Sequence, residues 1–273
     1  MSVFRGNAKE KLMARDINPG PTTSCMRFVA QVGRGASFAR DCFLGMFRPP
    51  YDTAELLTQM DELGAKSLPV VGATGLVTGL ILAIQSRPVL ARFGAESYVP
   101  AMVSISVVRE LGPILTALMV AGRVGSGMSA ELGSMRVTEQ IDAIEVAGID
   151  SFRFLVVTRV IACTLLLPLL TAIVNILAIL GAYLPAVTEM HMSWKLYFHR
   201  AVYSLWLRDV IPAILKTGVF GFIIGVIGSH QGYTATGGTA GVGRASTSAV
   251  VIASLLLLFT DMVLAKLIVL LWN

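Results

Sequence analysis

The chain has 273 residues, 55% of them hydrophobic and only 14% charged, with a mean hydropathy of +0.72 and a net charge of +5. Soluble domains run nearer a quarter charged, so this composition excludes an ordinary soluble enzyme and points to an integral membrane protein. Three cysteines (Cys25, Cys42, Cys163) and three scattered histidines (His191, His199, His230) supply neither a disulfide framework nor a metal-ligand spacing.

Residues 1–24 form an N-terminal tail without a recognisable pattern. The first long apolar run begins only after residue 66, which does not suit a secretory signal. Between 25 and 66 two short helices are expected. Phe28, Val32, Ala39, Phe43 and Met46 recur at about whole helical turns, while Arg27, Arg34, Asp41 and Arg48 recur every seven residues on another stripe. Such a helix lies on a membrane with its basic side toward lipid phosphates, or packs on the protein's own surface, and Gly33 and Gly35 weaken both versions. After Pro49-Pro50, Asp52 with Glu55 three residues on starts an elbow helix through Leu56, Leu57, Met60 and Leu63 that stops at Gly64.

From 67 to 273 the chain reads as a membrane domain. Apolar runs at 67–86, 98–122, 160–188, 217–243 and 245–273 each reach the roughly 20 residues that cross about 30 Å of hydrocarbon as a helix. Strand-like alternation is absent, so the expected class is all-α with five spans. Residues 1–66 carry nine Lys/Arg and the segments 123–153 and 244 add four, against five in the loops 87–97 and 189–209. The positive-inside rule then places the N-terminus in the cytoplasm and, with five spans, Asn273 outside.

Two glycine patterns imitate nucleotide sites. GSGMSA at 125–130 has the form G-x-G-x-x-A, but it follows a lipid-length apolar run and not a short strand. GTAGVGRAS at 238–246 offers Arg244 and Ala245 where a phosphate loop needs Lys and Ser/Thr. No ATPase motif is therefore visible, and no Ser-His-Asp or zinc-protease pattern accompanies it. Gly75 and Gly79 in span one, with Gly221, Gly225, Gly228 and Gly232 in span four, have the spacing for close helix approach, with hinge motion as the alternative.

Charge within the apolar runs is more informative. Arg109 and Glu110 lie about 11 residues, roughly 17 Å, from either end of the second run, too deep to snorkel easily. At a helix centre each costs about 2.5 to 3.5 kcal/mol to insert, so both must face protein or a wet cavity. An ion pair that only fixes packing is the alternative to a polar cavity. Adjacent residues point about 100° apart, so one partner direction cannot serve both. Asp261, midway along the last run, and Lys216, near the outer end of span four, are candidate partners or lining residues, with snorkelling to the outer surface preferred for Lys216.

Between spans two and three lies the polar stretch MSAELGSMRVTEQIDAIEVAGID, residues 128–150, with five carboxylates. Thr138 is expected to cap a short helix from Glu139 to Ala147 that stops at Gly148. Ile141, Ile144 and Ala147 would make an apolar face, and Glu139, Asp142 and Glu145 an acidic one. Like charges at that spacing repel by a few tenths of a kcal/mol, so helix stability did not select them. Docking on a basic partner groove and a solvated connector both fit.

The segment GAESYVPAMVSISVVRELGPILTALMVAGRVGSGMSAELGSMRVTEQIDAIEVAGID, followed by RVIACTLLLPLL and GTAGVGRASTSAVVIASLLLLFTD, resembles the MlaE/YrbE family of ABC-transporter permeases over roughly residues 50–273. The RELGP and ELG-MRVTEQIDA blocks carry the resemblance. It implies a homodimer of five-span subunits, each preceded by an interfacial helix, in the bacterial inner membrane. Two copies of a cytoplasmic ATPase, which bind the ATP and magnesium, and a periplasmic MCE-domain protein would complete a complex moving glycerophospholipids between inner and outer membranes. Under that resemblance residues 131–148 are the coupling segment, with Glu131, Arg136, Glu139, Asp142 and Glu145 facing the ATPase. Arg109, Glu110 and Asp261 would line a lipid cavity at the dimer interface. The chain itself needs no cofactor and is not expected to be an enzyme or to bind nucleic acid. Rival readings are a secondary transporter with Glu110 and Asp261 as proton carriers, and a non-transporting membrane anchor.

Overall fold

Every described element is helical, because the chain's long apolar segments leave few ways to satisfy backbone polar groups in hydrocarbon. The structure is a computed structural model that describes residues 21–47 and 53–272. The tail to residue 20, the Pro49-Pro50 break and the Asp52 start signal lie outside the described residues, as do Arg48, Asn273 and the side chains of Cys25, Arg27, Phe28 and Val32. The chain divides into a unit ending at Arg40 and a unit from Asp41 onward.

Helix α1 (Pro21–Gly45) supplies the described part of the first unit, where Gly33 and Gly35 face open space. In the second unit its last turn buries Cys42, while Phe43 stacks edge-on with Phe47 and with Phe222. Burial, reinforced by Asp41, pushes the Cys42 thiol up to about 12. Helix α2 (Thr53–Gly64) ends in a turn where the Ser67 hydroxyl donates to Leu63 O, leading directly into α3 (Leu68–Ala91).

The second span, α4 (Glu96–Val137), is 42 residues long, about 63 Å and twice the hydrocarbon thickness, so it extends well beyond the predicted 98–122. Two π turns interrupt it, Val107–Leu111 and Ala121–Gly125. The first has a visible cause: Pro113 has no N–H to continue the ladder, and the Gly112 N–H reaches back five residues to Val107 O.

Val137 is followed by a turn and then α5 (Gln140–Val146). The start differs from the expected Thr138 cap. Thr138 closes α4, its hydroxyl donating to Ser134 O, and Glu139 precedes α5 in the left-handed region at φ 60°. The end is as expected: Gly148 at φ +83° donates to Glu145 O, and the Ile149 N–H to Ile144 O, a Schellman closure. The third span, α6 (Phe152–Thr188), opens with a π segment through Val157 and begins eight residues before the predicted boundary.

After the short helix α7 (Trp194–Tyr203) come α8 (Leu207–Tyr233) and α9 (Gly238–Trp272). These correct the last two predicted spans. The break falls at 234–237 and not at Arg244, which lies inside α9, because Gly237 and Gly238 take positive φ and no other residue type does so cheaply. The glycines do pack helices. A Cβ on Gly79 would strike the Ala178 carbonyl, and one on Gly181 the Leu76 carbonyl, so α3 and α6 touch backbone to backbone. On α8, Gly221 and Gly225 meet α6 at Cys163 and Val160, and Gly228 and Gly232 meet α4 at Gly125 and Ser129. A core of Val124, Met128, Leu167, Phe220, Ile224 and Leu257 fills the space between these helices. Helix α9 is the exception, with only 6% of its most apolar stretch buried.

Candidate functional site

The first π turn carries Arg109 and Glu110, and α8 supplies what each meets. Arg109 Nε donates to Asp209 Oδ1 at 2.7 Å, with Nη2 at 2.5 Å from the same oxygen. The other Asp209 oxygen accepts the Trp206 N–H and caps α8. Asp209 is therefore committed twice and is 6% exposed, a burial that its hydrogen bonds make tolerable. The Arg109 side chain thus reaches the first turn of α8.

Lys216, two turns further along α8, does not snorkel. It is 2% exposed, donates to Glu110 Oε2 at 2.5 Å and stands 2.5 Å from Asp261 Oδ1 on α9, with Phe220 beneath it. The contact to Asp261 is an ion pair outside hydrogen-bond geometry, and that oxygen has no other partner. One ammonium thus holds two carboxylates from two different helices. Beside these groups opens a cavity of about 400 Å³, lined by Arg109, Glu110, Arg208 and Asp209 and walled by Pro212 and Ala213 of α8 and by Ala265, Ile268 and Val269 of α9. Arg109 and Glu110 keep about half of their side-chain surface open.

Arg109, Glu110 and Asp261 are brought into one cluster, Asp261 through Lys216. Sequence reading missed Asp209 and Arg208, counted as loop; of its two readings of Lys216, the partner role holds and snorkelling does not. The available signal was an acid three residues after Trp206 at the head of an apolar run, a helix start. Gly112 also has a tertiary reason: the Asn175 carboxamide occupies the place a Cβ would take there.

At the other end of the bundle four of the five residues assigned to coupling have partners within the chain. Glu131 is taken by Arg159, a buried guanidinium that also donates to Leu155 O, at 2.7 and 2.8 Å. Arg136 donates to Asp142 at 2.6 Å. Glu145 accepts from Ser151. The expected acidic face is thereby divided: Glu139 precedes the helix, Asp142 pairs with Arg136 and Glu145, itself exposed, accepts from the buried Ser151. The expected apolar face is also used internally, Ile141 and Ile144 packing with Leu132, Leu155 and Tyr233. Val146, 91% exposed, and Ile149 remain uncovered at the end of α5.

Comparison with known proteins gives this arrangement a family. The profile described as Permease MlaE matches residues 56–267. A probable ABC transporter permease protein of Rickettsia bellii is 40% identical over 89% of this chain and 93% of its own length. The intermembrane phospholipid transport system permease protein MlaE of Haemophilus influenzae is 33% identical over 77% of this chain and 80% of its own length. The chloroplastic protein trigalactosyldiacylglycerol 1 of Arabidopsis thaliana is 36% identical over 77% of this chain and 60% of its own length. With both RELGP and MRVTEQIDA in place on α4 and α5, this multi-pass chain belongs to the MlaE family of ABC-transporter permeases, subunits that leave ATP hydrolysis to a separate protein.

Proposed function

We propose that the chain moves glycerophospholipids between the inner and outer membranes of a bacterium, as a homodimer driven by two copies of a cytoplasmic ATPase and working with a periplasmic MCE-domain protein. The observation that carries this reading is the cavity beside Arg109: charged groups on one side, apolar α9 on the other, suited to an amphiphile and not to a bare ion. The role named for the Haemophilus relative supports phospholipid as cargo. Helix α9, nearly bare over its apolar length, supports a second copy closing the cavity. The distribution of Lys and Arg along the chain supports a cytoplasmic N-terminus in the inner membrane.

Arg109 attracts the headgroup phosphate through a charge-assisted hydrogen bond, and the α9 wall takes acyl chain. Glu110 and Asp261 hold Lys216 between them on the polar side. Magnesium and ATP bind the partner ATPase, which docks on α5 through Val146 and Ile149 with Glu139 and Asp142 around them. The test is Arg109→Ala. Assembly with the ATPase persists while phospholipid bound to the purified complex and transport both fall; unchanged lipid occupancy and transport would defeat the cavity role. Transport that proceeds without the ATPase and follows a pH gradient would favour Glu110 and Asp261 as proton carriers instead. Replacing Glu139 and Asp142 with Lys should release the ATPase, and full retention would remove α5 from that interface.

A further inference from the structure

Ser151 opens α6 and is 2% exposed. Its hydroxyl oxygen lies 2.5 Å from Glu145 Oε1 on α5 and 2.9 Å from the Tyr233 hydroxyl at the end of α8. With Ser151 donating to the carboxylate, its oxygen accepts from Tyr233, whose hydroxyl also stands 3.4 Å from the same Glu145 oxygen. Such a chain of hydrogen bonds, one of them to a charged acceptor and with its middle member sealed from water, holds its members more firmly than an exposed pair would. Apolar packing surrounds it: Ile141, Ile144 and Leu155 gather about the Tyr233 ring, and Phe152 meets that ring edge-on at 6.2 Å.

The link from α5 to α4 is of another kind. It runs through a left-handed residue, Glu139, an exposed Arg136–Asp142 pair, which is worth little, and the apolar contact of Ile141 with Leu132, with no buried polar bond between the two helices among the described residues. Helix α8, by contrast, runs unbroken for 27 residues, about 40 Å, from Leu207 to Tyr233. Its far end carries Asp209 and Lys216, the partners of Arg109 and Glu110.

We propose that Glu145, Ser151 and Tyr233 form a latch through which motion of α5 displaces α8, so that the cytoplasmic helix acts on the cavity by shifting Asp209 and Lys216 against Arg109 and Glu110. The proposal rests on the reading that an ATPase pushes α5, and it names α8, beyond the adjoining α4, as an element that moves with it. Tyr233 and Ser151 are positioning residues: neither touches cargo.

The experiment uses the whole permease–ATPase complex in lipid nanodiscs, with native cysteines replaced and a spin label at Leu207→Cys, 75% exposed at the outer end of α8. Label-to-label distances between the two copies are recorded without nucleotide and with ATP trapped. Trapping should shift the distance in the otherwise native protein. In Tyr233→Phe with Ser151→Ala, which keeps the ring and its packing, the shifted population should fall about fivefold, the scale of a lost hydrogen bond, while ATP hydrolysis and subunit stoichiometry persist. Glu145→Gln, whose carboxamide oxygen still accepts, should restore most of the shift relative to Glu145→Ala. A full shift in the double variant overturns the latch, as does an otherwise native protein without a shift. Loss of ATPase binding in the double variant also overturns it, since the role would then be structural. The distance readout needs no lipid cargo, so it tests the latch even if phospholipid proves to be the wrong substrate.

Discussion

Replacing Lys216 with Met removes the one cation that Glu110 and Asp261 share and leaves a side chain of similar length. Both carboxylate oxygens sit 2.5 Å from Nζ, so they stand no more than about 5 Å from each other once it is gone. At an effective dielectric near 20 their mutual repulsion is about 3 kcal/mol. Breaking a buried pair by removing one member costs about 3–5 kcal/mol in general. Glu110 is half open to the cavity, which screens part of the repulsion, and the lower end, about 3 kcal/mol, is the expected loss. Reversible unfolding of the detergent-solubilised protein in SDS, followed by Trp fluorescence, measures it at fixed protein and detergent concentration. Adding Glu110→Gln and Asp261→Asn to Lys216→Met should recover more than half of the loss, because the destabilisation lies in the stranded charges and not in lost packing. A Lys216→Met protein within about 1 kcal/mol of the parent would refute the shared-cation account, and a triple variant no better than the single would move the cause to packing.

Gly79→Ala should destabilise the chain by about 1–3 kcal/mol, since the new methyl meets the Ala178 backbone and no rotamer change relieves it. Gly127→Ala, facing open space within α4, should be neutral or stabilising by up to about 1 kcal/mol in the same assay. Pro113→Ala restores the missing N–H, lets the π turn revert and re-aims Arg109 and Glu110; transport should fall severalfold while ATPase binding is kept, and unaltered transport would show that the turn's register is immaterial. The Cys42 thiol, raised from 9.0 to about 12, should resist maleimide at pH 8 in the folded protein and react on unfolding. Its burial stabilises the neutral form, a contribution complete below about pH 9 and lost as pH rises toward about 12, measurable as a falling unfolding midpoint in alkali.

The sequence by itself determined the all-helical class and the existence of five spans, because twenty consecutive apolar residues leave the backbone one practical way to hydrogen-bond in hydrocarbon. It also located the short helix after Val137 through Gly148, a local signal that needs only a left-handed residue. The head of α8 carried a start signal in Asp209, three residues after Trp206, but not the reason its charges are tolerated. Arg208, Asp209 and Lys216 make its first turns look like loop, and what makes Asp209 and Lys216 tolerable lies 100 and 106 residues away at Arg109 and Glu110. Tertiary structure likewise decided which partners the carboxylates after Val137 take. Periodicity places Asp142 and Glu145 on one face, but Arg136, Ser151 and Tyr233 draw them apart. Local periodicity reports which side of a helix a residue occupies, whereas the sign and distance of the charge across from it depend on how separate helices pack.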